Sequence, residues 1–210
     1  MEQKSIKTRI RYNGLLDKVF VFYCKNNPEL KKMGWNDWMP PTKEEVIRQV
    51  QNYKKEWKKY EKDILNELSV VLDLKFQNPI IDVHIVSGNP RQIGDPIVIR
   101  SGFNPEEFVS TLTHELVHHL CSINNIEELD EYLEKPYITE SSLTRRHIIV
   151  LAALTHIYKN ILKDEKELEH SKSRSEKHST KEYTLAWNIV DELGYANILD
   201  KFRTNRKQRE

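Results

Sequence analysis

From Thr42 onward, Val46, Val50, Tyr53, Trp57, Tyr60, Ile64, Leu68 and Val71 recur at three- and four-residue steps. That is the spacing of one helix face. Thr42 and Glu45 at its start form a capping box. The pattern predicts one long helix packed along its own domain; a coiled coil is the alternative for such a seam. Upstream, Leu15, Leu16, Val19, Phe20 and Tyr23 predict a helix over 13–26 behind Asn13, with a strand through Val19–Tyr23 as the alternative. Residues 27–41, with two prolines at their end, read as a loop.

Two short clusters follow a different rule. IIDVHIV at 80–86 and IVIR at 97–100 are rich in β-branched residues and bounded by Gly, Pro, Asn and Ser. They predict two strands of a short hairpin joined by SGNPRQIGDP. After SGFNP, Asn104 is placed to cap a helix with Pro105 first and Glu106 and Glu107 in its opening turn. Phe108, Leu112, Leu116 and Leu120 give that helix an apolar face. Further helices are predicted at 126–134, at about 139–162 through HIIVLAAL, and at 182–202. Residues 163–181 alternate in charge and read as a solvated helix extension or a linker. The last eight residues are polar and basic, a frayed end. The expected fold class is α+β, mostly helical, with a small β-sheet beside the helix of 105–123. The expected organisation is an N-terminal helical region (1–76) packed on a core (77–162), then the charged segment (163–181) and a C-terminal helix with a basic tail (182–210), in one compact domain.

The helix after Pro105 carries the residues that need explaining. TLTHELVHHLCS, 111–122, sets three histidines and a glutamate among apolar residues. Buried polar groups are costly without partners. His114, Glu115 and His118 spell H-E-x-x-H. On a helix, positions i and i+4 share a face, so two imidazoles can grip one ion from the same side. Glu115 is rotated by roughly 100°. It is placed to reach a water rather than to ligate. His119 falls off this face. Cys121 returns to it and reads as a small buried thiol. His84 is expected to be exposed on its strand. His156, nine residues from His147, points to the opposite side of its helix, and His170 and His178 are expected to be solvated.

Composition narrows the classes. Lys+Arg 33 against Asp+Glu 32 leaves a net charge of +1, so no global field favours nucleic acid or an acidic membrane. The basic run KKEWKKYEK at 54–62 is interrupted by Glu and reads as a solvated helix face. Two cysteines among 210 residues make no disulfide framework. With no apolar run near the ~20 residues that span a bilayer and no signal-peptide pattern at the start, a cytoplasmic protein without a membrane partner is expected.

Strand, turn, a helix with HELVH and then a further helix resemble the zincin metallopeptidases, closest to small cytosolic gluzincins or minigluzincins. The resemblance covers roughly 80–160 and implies Zn2+ on His114 and His118, Glu115 as general base, and a peptide or protein substrate lying antiparallel to an edge strand, one of 80–86 and 97–100. A metzincin extension is excluded by Cys121 and Asn124. The gluzincin carboxylate pair is incomplete, because Glu140 is followed four residues later by Thr144. A catalytic zinc takes three protein ligands. The donors weighed for the third are Glu140 and His147, seven residues apart and so ~10 Å along one helix. Glu140 near the helix start is also a plain dipole partner. His147 shares its face with Leu143, Leu151 and Leu154 and is the expected ligand, with Glu131 and Glu134 behind it. Tyr137, Arg145, Arg146, Tyr158 and Tyr183 are candidate oxyanion donors. The alternative function is a non-catalytic zincin-like binding or regulatory module.

Overall fold

The seam from 46 to 71 is helical at both ends and broken in the middle. A computed structural model describes residues 6–35, 37–126, 140–178 and 181–208, and in it the seam forms α3 (Lys43–Trp57) and α4 (Glu61–Leu72). The capping box is present: Thr42 Oγ1 accepts the Glu45 amide while Glu45 accepts the Thr42 amide at 2.7 Å. Nothing local ends α3, since no Gly or Pro stands between Trp57 and Glu61. The break follows a tertiary bond. Glu61 Oε1 accepts both the amide and the hydroxyl of Thr8, each at 2.7 Å, and the Trp57 indole N–H at 3.3 Å.

Thr8 belongs to a strand that the apolar pattern does not reveal. β1 (Lys7–Tyr12) buries Ile10 alone, so it carries almost no hydrophobic signal. It runs parallel to β2 (Ile80–Val86) in the register Lys7↔Ile80, and Arg9 holds Asp82 across the pair at 2.6 and 2.7 Å. α1 (Gly14–Asn26) follows behind the Asn13 cap, as its spacing predicts. Part of the expected loop 27–41 is helical instead, with a short α2 (Pro28–Leu30) capped by Asn27.

The predicted hairpin is corrected. β2 and β4 (Ile97–Arg100) pair in parallel, Val83↔Ile97 through Val86↔Arg100. The reversal comes from β3 (Ile93–Gly94), two residues long and antiparallel to β4. The sheet order is β1-β2-β4-β3, so the outer strands are β1 and β3, not either of the strands 80–86 and 97–100. β2 and β4 sit inside, with Val83, Ile85, Ile97, Val98 and Ile99 buried. This is why both read as near-continuous apolar runs.

The fold is α+β and mostly helical. The chain divides into two compact units, Met1–Lys62 with Asn78–His119, and Asp63–Gln77 with Leu120–Glu210. The first holds the sheet, α1, α3 and most of α5 (Pro105–Ile123). The second is built on α6 (Ser142–Ile157), where every position from His147 to Ile157 except His156 is buried. α8 (Lys181–Leu193) and α9 (Tyr195–Lys207) pack on α6, and Gly194 at φ 78° divides them where one segment was expected. The charged stretch forms α7 (Glu165–His178), tied to α8 by Lys172 on Asp191 at 2.7 Å. The expected frayed end is mostly helix: Arg206 donates to the Asp73 carbonyl and carboxylate. The helix expected at 126–134 lies almost wholly outside the described residues.

Thr42→Ala removes a reciprocal cap and is expected to lower unfolding free energy by about 1 kcal/mol in urea denaturation. Gln at position 45, which keeps a side-chain acceptor, should lose less than Ala there.

Candidate metal centre

The start of α5 sets the phase of everything it carries. Asn104 Oδ1 accepts the Glu107 amide at 2.8 Å, and Glu107 Oε2 accepts the Asn104 amide at 3.1 Å. Pro105 occupies the first helical position, where its missing N–H is no loss. One turn on, Phe108 stacks on Tyr53 with centroids 4.0 Å apart and planes at 4°. The Tyr53 hydroxyl lies 2.8 Å from the carbonyls of Ser101 and Phe103. Phe108, Leu112, Leu116 and Leu120 are all buried, so α5 cannot turn about its axis without exposing them.

With the phase set, His114 and His118 stand one turn apart and half-buried, their Nε2 atoms 3.2 Å from each other. Two nitrogens about 2.0–2.1 Å from one zinc at a tetrahedral angle stand roughly 3.3 Å apart. The pair therefore has the spacing of two ligands on one ion. Glu115 is buried, and burial alone pushes its carboxyl up to about 8.

His147 lies on the second turn of α6, behind the Ser141 cap, whose hydroxyl accepts the Thr144 amide. Its Nδ1 is 2.7 Å from the Leu143 carbonyl. A carbonyl only accepts, so Nδ1 carries the proton and Nε2 the lone pair. Burial holds this imidazole below its ordinary pKa and hence neutral. The Tyr183 ring lies 4.1 Å from it.

Two imidazoles at this spacing suit a divalent transition-metal ion, so the pair could bind one; the donors do not choose which. Among the described residues, no carboxylate joins this group. Glu140 stands just before the Ser141 cap, where its backbone carbonyl accepts from Arg145. Glu131, Glu134 and Tyr137 lie outside the described residues.

The remaining histidines and the thiol have other surroundings. His119 is turned toward Asp95, 3.5 Å away. Cys121 is buried, with its thiol pushed up to about 12 by desolvation. His156 bonds Glu67 at 2.6 Å. His170 is exposed beside Glu167. His84, expected on an open face, is half-buried and lies 3.2 Å from Asn13 Nδ2, because β1 covers its strand. Among the candidate oxyanion donors, Tyr183 is the one in ring contact with His147, whereas Tyr158 is buried and Arg146 is exposed.

One position beside the histidine pair escapes the hydrophobic pattern. Gly94, in β3, packs on the face of α5: a Cβ built there would stand 2.5 Å from His118 Cβ and 3.4 Å from Glu115 Oε2. Only a residue without a side chain lets the outer strand lie this close. The signal was a glycine in Gln92-Ile93-Gly94, but two residues are too few to show strand alternation. Gly94→Ala should displace His118 and weaken metal binding by about tenfold or more, as removal of a ligand's support does. Gly102→Ala, where a Cβ meets nothing within 4 Å, should leave it unchanged. Competition with a chromophoric chelator measures both.

In comparisons with protein-family models, with curated proteins and with solved structures, the chain matches none.

Proposed function

We propose that the protein is a zinc-dependent peptidase that acts on peptide or protein substrates. The observation that carries this is the pair His114 and His118, one turn apart with their Nε2 atoms 3.2 Å from each other, and the buried Glu115 beside them on the same helix. His114, His118 and His147 would hold the zinc. When bound, zinc supplies positive charge that polarises a carbonyl and acidifies a water.

The chain's own residues account for the rest. Glu115 is neighbour to both ligands without facing along their direction, which suits a base. It takes the proton of the attacking water and returns it to the leaving amine. Its burial excludes solvent that would compete for that proton. The Leu143 carbonyl keeps His147 in the tautomer with Nε2 unprotonated. β3 is the outer strand beside α5, and an extended peptide would run along its open side in place of a further strand. No helix among the described residues is long and apolar enough to cross a membrane. The two free, buried cysteines favour the cytoplasm as the compartment.

Glu115→Gln should keep about one zinc per chain and lower cleavage of a peptide library by ~10²–10⁴. Parent-like cleavage by the variant rules out this mechanism. A broad screen in which neither protein cleaves leaves a non-catalytic metal-binding module. The third ligand has its own test. His147→Ala should cost roughly a hundredfold or more in zinc affinity, as loss of one of three protein ligands does, while Glu140→Ala changes it little. The reverse order returns the site to a carboxylate ligand.

A further inference from the structure

The parallel strands β2 and β4 end side by side, with Val86 opposite Arg100. Their continuations, Ser87-Gly88 and Ser101-Gly102, line a cavity of about 560 Å³. Crevices beyond the carboxyl ends of parallel strands are common ligand sites, and the volume is that of a small-molecule pocket. The segment leading into α3 contributes two indoles. Trp35 and Trp38 have centroids 5.3 Å apart and are tilted by 51°. Trp38 lies directly on Gly88, where a Cβ would come within 2.4 Å of its ring. The opposite rim is braced from α3, whose Gln49 donates to the Phe103 carbonyl at 2.8 Å. These contacts preform the walls.

The charge on those walls is unbalanced. Arg100 is half-buried, its guanidinium 4.8 Å from the Phe103 ring centroid. No carboxylate among the described residues meets it at ion-pair distance, and burial depresses its pKa. Arg48 stands on the exposed rim. Glu45, the acidic residue of the lining, accepts two hydrogen bonds from Thr42 and also acts by charge on Arg48, which leaves one arginine in excess on the walls. Glu107 acts on Arg100 by charge from beyond ion-pair distance, so this partly desolvated cation has no close ion pair, and an anion in the cavity would offset the cost of its burial. Indoles favour flat rings by stacking.

We propose that this cavity binds a small planar aromatic anion, with its ring against Trp35 and Trp38 and its phosphate or carboxylate on Arg100 and Arg48. The site is separate from the histidine cluster. Gly94, which packs on His118, pairs with Ile97 at the start of β4, whereas the cavity begins at Arg100, about 10 Å further along the strand. Binding therefore needs none of the metal-binding histidines.

Calorimetric titration of the full chain tests this with two anions, adenosine monophosphate and N-acetylphenylalanine, and their neutral counterparts, adenosine and N-acetylphenylalanine amide. At least one anion should bind saturably, one per chain, with Kd between about 1 μM and 1 mM. Its neutral counterpart should bind about tenfold more weakly or worse. Response to the first anion alone assigns a phosphate ligand, and to the second alone a carboxylate. Arg100→Gln and Arg48→Gln should each weaken binding about tenfold, and His114→Ala should not change it. If Arg100→Gln does not fold, Arg48→Gln and Trp38→Leu decide. No saturable binding of either anion, equal binding of the neutral compounds, or indifference to the folded arginine variants overturns the proposal.

Discussion

Withdrawing Glu115 and His147 from water governs how this chain can use its polar residues. Both sit on helices whose buried faces are built mainly from Leu, Ile, Val and Ala. A carboxyl there rises to about 8 through burial alone, and an imidazole there stays neutral. Such groups persist in a core when something offsets their desolvation. For His147 part of that comes from the Leu143 carbonyl. For His114, His118 and Glu115 on α5, a cation is the simplest partner.

The phase of α5 converts this constraint into geometry. The Asn104–Glu107 cap starts the helix, the Tyr53–Phe108 stack anchors its first turn, and Leu112 and Leu116 continue the buried face. His114 and His118 then lie side by side at 3.2 Å. Gly94 brings the outer strand against the same face. A helix rotated by even one residue, roughly 100°, would bury the pair or expose it.

β4 links two chemically different places. Its first residue pairs with the glycine that packs on His118, and its last residue is the arginine that lines the cavity under Trp35 and Trp38. A four-residue strand buried at its first three positions is a stiff support, so one end can hold a site for an ion while the other presents a cation to a ligand. Loops and helix ends at the carboxyl side of parallel strands are free to differ without disturbing the core.

The helices, the caps at Asn13, Thr42 and Asn104, the interior strands and the i, i+4 histidine pair were legible in the sequence, because each is a local pattern of period, propensity or spacing. The buried position of His147 was legible too, from its place with Leu151 and Leu154, although Leu143, expected on the same face, is exposed. Tertiary structure decided the rest. β1 buries one residue and β3 has two, so neither leaves a periodic trace. The parallel pairing of β2 and β4 depends on where the chain reverses, which the two runs themselves do not encode. The break between α3 and α4 has no breaker residue and follows from the Glu61 bonds to Thr8. The approach of Gly94 to His118 joins positions that no local pattern relates. Spacing along one helix tells which side chains share a face, and only packing of one element on another tells which faces meet.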